Sequence, residues 1–158
     1  MFHVGDKVVY PMHGAGIIEA IEEKEVLGEK RKYYVMRLPI GNMRVMVPIT
    51  NGSNLGLRQV ISNEEAERVM AVLHEQEDVA TTNWSLRYRQ HMEKIKSGNV
   101  FEVAEVVRNL SLRERDKGLS TGERKMLDNA RQILISELAL ARDYAEDKIQ
   151  GILEKVFA

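Results

Sequence analysis

The chain has 158 residues, a net charge of -1, and 44% hydrophobic against 30% charged residues, proportions that support folded cores and exclude a disordered or membrane-embedded polymer. It contains no cysteine, which excludes a disulfide framework, a thiolate nucleophile and a cysteine metal site. The opening residues MFHVGDKVVYPMHG lack the basic and apolar regions of a secretory signal, and no run approaches the ~18 apolar residues of a membrane helix, so a cytoplasmic location is expected.

The first sixty residues read as short strands at Lys7 to Tyr10, Gly16 to Glu23, Lys32 to Leu38 and Met43 to Val47, with a weaker one at Leu57 to Ile61. Turn residues fall where each strand must reverse: Pro11 with Gly14, Leu27-Gly28-Glu29, Pro39-Ile40-Gly41-Asn42 and Asn51-Gly52-Ser53-Asn54. In Met43-Arg44-Val45-Met46-Val47 the period of two puts Met43, Val45 and Val47 on one face and Arg44 and Met46 on the other. A five-stranded unit of this size resembles an SH3-like or Tudor-like barrel, whose open edges accept a partner strand.

A short helix follows over Glu64 to Leu73, capped by Asn63 or Ser62, and the polar stretch HEQEDVATT at 74–82 reads as a linker. The period then becomes helical, with breaks at Ser97-Gly98-Asn99 and Lys117-Gly118-Leu119-Ser120. Four helices are expected: about 84–96; about 100–115, with Val103, Val106, Val107 and Leu110 on one stripe; a third opening on Ser120-Thr121-Gly122-Glu123 as a capping box; and Tyr144 to Val156. The fold class is therefore α+β, with a barrel at 1–62, a short helix and linker at 63–82, and an all-α domain at 83–158.

Charge is unevenly divided along the chain. Residues 84–142 carry 12 basic and 8 acidic side chains, whereas 61–83 carry 1 and 6 and 143–158 carry 2 and 4. A basic segment flanked by acidic ones points to a polyanionic partner.

Catalytic motifs are absent. The histidines His3, His13, His74 and His91 form neither an i,i+4 pair nor HExxH, so no metal site is expected. Gly14-Ala15-Gly16 lacks the rest of either phosphate-loop pattern and reads as a barrel turn, and GLSTGE is a helix start rather than a nucleophile elbow. Glu64-Glu65 at a helix start serves the helix dipole. No enzyme and no cofactor are expected.

The informative segment is Asn83-Trp84-Ser85-Leu86-Arg87-Tyr88-Arg89, which holds the only tryptophan. Trp84 either staples the helix start to the bundle or stands exposed as a wedge against DNA. In the second reading Arg87 and Arg89 lie beside it, and the helix N-terminus favours phosphate. Arg124-Lys125 opposes the dipole of its helix, which fits either a solvated pair or an anionic partner. Arg113, Arg115 and Lys117 read as a solvated helix end.

These segments together resemble the CarD/CdnL family of bacterial transcription regulators. The resemblance is carried by VGDKVVYPMHGAGIIEAIE at 4–22, TNWSLRYRQHMEKIKSGN at 82–99, EVAEVVRNL at 102–110 and GLSTGERKMLDNARQILISELALA at 118–141. It implies a Tudor-like domain, similar to that of transcription-repair coupling factors, which binds the β subunit of RNA polymerase. It also implies a helical domain that contacts promoter DNA at the upstream edge of the bubble and stabilises the open complex without a sequence code. Trp84 matches the family tryptophan at the minor groove, with Arg87, Arg89 and Arg124, joined by Lys125, on the DNA side. Lys24, Arg44 and Met46 fall on the polymerase side. At Lys24 and Met46 relatives often carry arginine, and the replacements lose the bidentate fork and the charge respectively. The resemblance favours a monomer associated with the nucleoid through polymerase.

Two other classes remain: a stand-alone, non-specific nucleic-acid binder, which the near-neutral charge disfavours, and a small hydrolase using His13 or Glu64, for which no constellation of residues is found.

Overall fold

The computed structural model describes residues 2–39, 42–49, 56–76 and 83–158. Residues 40–41 of the third turn, the turn at Asn51-Gly52-Ser53-Asn54 and residues 77–82 of the linker lie outside the described residues.

Five strands, β1 (Lys7–Tyr10), β2 (Gly14–Val26), β3 (Glu29–Leu38), β4 (Met43–Ile49) and β5 (Arg58–Gln59), form one antiparallel sheet in the order β4-β3-β2-β1-β5. The second and third strands are longer than the alternation of apolar residues indicates. Beyond Lys32, which still pairs with Ile49 of β4, charged residues 24–25 and 30–31 continue the ladder as a two-stranded ribbon, closed by Leu27 and Gly28, both at positive φ, between the paired Val26 and Glu29. Two positive-φ residues give the turn whose twist matches that of the flanking strands. The fifth strand is only two residues long, shorter than expected.

Register decides which side chains share a face. Ile17 pairs with Arg37 and Arg37 with Arg44; past an irregularity at Glu19, Ala20 pairs with Val35 and Val35 with Met46, while Lys24 pairs with Arg31. Cross-strand partners point to the same side of a sheet. The extra residue on β2 keeps Ile17, Ala20 and Lys24 on one face despite their odd spacing. Val8, Ile18, Tyr34, Met36, Leu38, Val47 and Leu57 fill the opposite face as the barrel core.

Five helices follow: α1 (Asn63–His74), α2 (Trp84–Lys96), α3 (Val100–Asp116), α4 (Thr121–Arg142) and α5 (Glu146–Val156). Ser62 is the cap of α1, and it forms a complete capping box with Glu65. The box expected at α4 forms only in part: Ser120 accepts from the Glu123 amide, but the Glu123 carboxylate turns inward to Arg87. One apolar core runs through all five helices. The helix grouped with the linker in the sequence reading contributes Ala66, Val69 and Leu73 to it.

The barrel is joined to this bundle by polar contacts around α4. The Ala15 amide donates to Ser136 Oγ at 2.8 Å, and Lys7 Nζ donates to the Leu140 carbonyl at 3.1 Å. Gly14 permits this approach, since a Cβ there, at φ 111°, would lie 2.9 Å from Ser136 Oγ; within the sheet, a Cβ on Gly16 would collide with the backbone carbonyl of Arg37 on β3. The firmest link is Arg58 on β5. Its guanidinium grips Glu137 of α4 with two hydrogen bonds of 2.6 and 2.7 Å and reaches the Gly98 carbonyl with Nε, while Glu137 also accepts from the Ile61 amide. The Glu137 side chain is 2% exposed.

Removing one partner of a buried pair leaves an uncompensated charge in low dielectric. Arg58→Ala is expected to destabilise the protein by about 3 kcal/mol, read as a lower urea midpoint. Arg58→Lys restores the charge without the fork and recovers part of the loss. An unchanged midpoint for Arg58→Ala would remove this link from the account of stability.

Candidate nucleic-acid interface

Trp84 opens α2. Asn83 caps the helix by accepting from the Leu86 amide at 3.2 Å, and no acidic residue occupies the first turn, so the exposed end keeps the positive pole of its dipole. Trp84 is 45% exposed. Its Nε1 donates to Ser120 Oγ at 3.1 Å, and its ring stacks on Tyr88 with centroids 5.2 Å apart at 27°. A Cβ on Gly122 would lie 3.7 Å from both Trp84 and Tyr88, so this residue shares their surface. Trp84 is thus both stapled to the bundle and open to solvent, which leaves surface for either of its two readings. Its polar edge is tied to the start of α4, and nearly half of it remains open to solvent.

Arg87 departs from the expected position beside the indole. It belongs with His91 and Ile95 to the buried stripe of α2, and its Nε and Nη2 donate to Glu123 at 2.9 and 3.2 Å. Its place four residues before His91 on the buried stripe turns Arg87 toward α4 rather than toward solvent, so it supports the site from beneath. Burial pushes the Glu123 carboxyl up, but the hydrogen bonds and charge of Arg87 outweigh burial and leave it below the usual range. Ser120 completes the group: its hydroxyl accepts from the Glu123 amide at 3.2 Å and lies 3.4 Å from Glu123 Oε1, to which it donates.

His91 lies in the same cluster, 5% exposed, with Nδ1 buried and lacking a hydrogen-bond partner. Burial first, then the positive charge of Lys94, hold its pKa down at about 4, with Glu123 opposing and Arg87 and Arg113 assisting. Arg113 is not the solvated residue expected; its Nε is buried and unpartnered. Arg89, Arg124 and Lys125 are exposed, and Arg124 Nη1 pairs with Glu114 at 3.0 Å. Arg124 and Lys125 thus lie exposed in the first turn of α4, the helix whose cap Ser120 bonds the indole.

On the barrel, Lys24, Arg44 and Met46 fall on one sheet face by register, and β4 is an edge strand of the sheet. Glu19, at the irregularity of β2, joins Arg37 at 3.0 Å and Arg44 at 3.2 Å. The Arg37 hydrogen bond is the main cause of its lowered pKa. Met46 is 36% exposed beside the buried Val35.

Two family descriptions match in succession: the CarD-like/TRCF RID domain over residues 2–61 and the CarD C-terminal domain over 68–154. The chain belongs to the CarD family. It is also 45% identical over 151 residues to YdeB of Bacillus subtilis (strain 168), provisionally named a transcription factor, with 96% of this chain and 99% of that protein covered. A CarD-type role in transcription follows, and the RID description connects the barrel with RNA polymerase. The second match begins within α1, so the CarD C-terminal domain takes in part of the helix that packs on the bundle. No helix among the described residues is long and apolar enough to cross a membrane.

The cluster of Ser120, Glu123, Arg87 and His91 was missed in the sequence. Its signal is the placement of Arg87 and His91 on the i, i+4 stripe that ends in Ile95, where charged residues need buried partners. Because His91 stays neutral in the fold down to about 4 while an unfolded histidine protonates near 6.5, its contribution is fully present above 6.5 and falls away as pH drops through this window. The loss approaches roughly 3 kcal/mol at the acid end. His91→Leu is expected to flatten the fall of the thermal midpoint between pH 6.5 and pH 4. Parallel profiles for the two proteins would show that His91 is not the titrating group.

Proposed function

We propose that this CarD-family protein holds the β subunit of RNA polymerase with its barrel, residues 1–62, and promoter DNA at the upstream edge of the bubble with its helical domain, residues 83–158. The result is a longer-lived open complex. The reading rests above all on Trp84, a half-exposed indole fixed at a helix start and accompanied by Arg89, Arg124 and Lys125. An aromatic face takes up the edge of an unstacked base step while the cations hold the adjoining phosphates. No base-edge code is required, since deformability and groove shape select the site. On this reading Arg87 acts through Glu123 rather than on phosphate. The protein works as a cytoplasmic monomer, at the nucleoid through polymerase, and needs no cofactor or metal.

The alternative, a stand-alone non-specific binder, shares the same cations. It calls for strong, salt-dependent duplex binding without polymerase, and a net charge of -1 argues against that.

The polymerase handle is the sheet face that carries Lys24, Arg44 and Met46 together with the exposed β4 edge. Edge pairing supplies backbone hydrogen bonds, and Met46 supplies an apolar contact. Met46→Asp is expected to abolish co-elution with RNA polymerase while leaving the circular dichroism spectrum unchanged. Retained co-elution would move the handle elsewhere on the barrel.

For the DNA handle, the measurement is open-complex lifetime with a bacterial RNA polymerase. The protein lengthens it, and Trp84→Ala shortens it by about fivefold or more, the lower range for a stacking aromatic, with polymerase binding intact. Equal lifetimes for the two proteins would refute the wedge. Strong duplex binding in the absence of polymerase would favour the stand-alone reading.

A further inference from the structure

Ser120 uses the whole hydrogen-bonding capacity of its hydroxyl. A serine hydroxyl has one donor and two acceptor lone pairs. Here the lone pairs take the Trp84 Nε1 proton at 3.1 Å and the Glu123 amide at 3.2 Å, and the hydroxyl proton points to Glu123 Oε1 at 3.4 Å. Its rotation is therefore set. Reversing it would set the hydroxyl proton against the indole N–H, donor against donor. The orientation depends on Glu123 remaining an acceptor, and Arg87, whose side chain is 5% exposed, occupies both of its carboxylate oxygens. Four side chains thus join α2 to α4 by donation that converges on one carboxylate: Trp84 donates to Ser120, Ser120 donates to Glu123, and Arg87 donates to Glu123 from the other side.

We infer that Ser120 is a positioning residue for the DNA contact: its hydroxyl, oriented by the buried Arg87–Glu123 pair, fixes the angle at which Trp84 meets the nucleic acid. The inference rests on the proposed role of Trp84. Its physical basis is preorganisation. An indole on the first residue of a helix has two free side-chain torsions, and immobilising them during binding opposes association. The Nε1 hydrogen bond and the Tyr88 stack remove that freedom beforehand, leaving the exposed part of the ring as the contacting surface. Gly122 lies against the same two rings, where an added Cβ would be in van der Waals contact with both.

Trp84 is the only tryptophan, so fluorescence of the full chain excited selectively at tryptophan reports on it alone. Ser120→Gly removes the hydroxyl but keeps most of the helix cap, because glycine at this position costs only a few tenths of a kcal/mol relative to serine; Ser120→Thr keeps the hydroxyl. In the free protein, acrylamide quenching of Ser120→Gly is expected to rise and its fast anisotropy decay to grow, with the threonine variant close to the parent. With polymerase and promoter, Ser120→Gly is expected to shorten the open complex about threefold to tenfold, the loss of one hydrogen bond, while Ser120→Thr restores the lifetime.

Unchanged quenching and anisotropy in Ser120→Gly would overturn the lock directly, whatever DNA does. A freed indole with an undiminished lifetime, where Trp84→Ala does shorten it, would overturn the positioning role and leave the wedge standing. If Trp84→Ala has no effect on lifetime, the wedge fails, and the positioning role fails with it.

Discussion

Glu137 lies on α4, 2% exposed, and takes both arms of Arg58 together with the Ile61 amide. An acid at this depth is compatible with folding only if its charge is answered and its lone pairs are filled. The barrel answers them, because Arg58 belongs to β5 and Ile61 to the segment leading into α1. The short strand β5 owes its place to this contact as much as to its two pairs with β1. The sheet and the bundle are consequently coupled through specific geometry rather than through apolar contact alone, which tolerates sliding. Ser136, one residue earlier, accepts the Ala15 amide, so two successive residues of one helix fix two different strands.

That coupling gives the proposed function its mechanical basis. If the barrel docks on polymerase, the helical domain is carried with it at a set angle, and the Trp84 surface follows. The second buried pair, Arg87 with Glu123, repeats the device on a smaller scale by holding the starts of α2 and α4 together under the indole. Both pairs join an arginine to a glutamate that is 2% exposed on its side chain. A planar fork suits this work, since it binds both carboxylate oxygens in fixed directions, as an ammonium does not.

The parts of this arrangement that depend on local rules were legible in the sequence. The β-then-α order, the turns at Leu27-Gly28 and Ser97-Gly98-Asn99, the apolar stripe of α3 and the serine cap of α4 follow from periodicity and turn chemistry. The ribbon formed by the ends of β2 and β3 was not legible, because its residues are charged on both faces and its order comes from backbone pairing. Arg87 reads as a DNA-side residue in the sequence because it lies three residues from Trp84 and because the family resemblance places it there. Only its place on a stripe with His91 and Ile95 argued otherwise, and identifying Glu123 as its partner requires knowing how α2 lies on α4. Glu137 was hidden for the same reason, in a run of apolar residues whose partner lies 79 positions earlier in the chain.

The modest charge of the helical domain makes sense within this frame. Binding through phosphates alone needs many cations and weakens steeply with salt, and a chain of net charge -1 is poorly equipped for it. A protein delivered by polymerase does not need that affinity, because docking raises the local concentration of the second site at its target. Excess cations would draw it to duplex elsewhere. What the second site then requires is correct placement: a rigid link to the barrel, a preset indole and a few cations for the phosphates nearby. On the proposed reading, the buried arginine–glutamate pairs, rather than the surface charge, would do most to determine where the protein meets DNA.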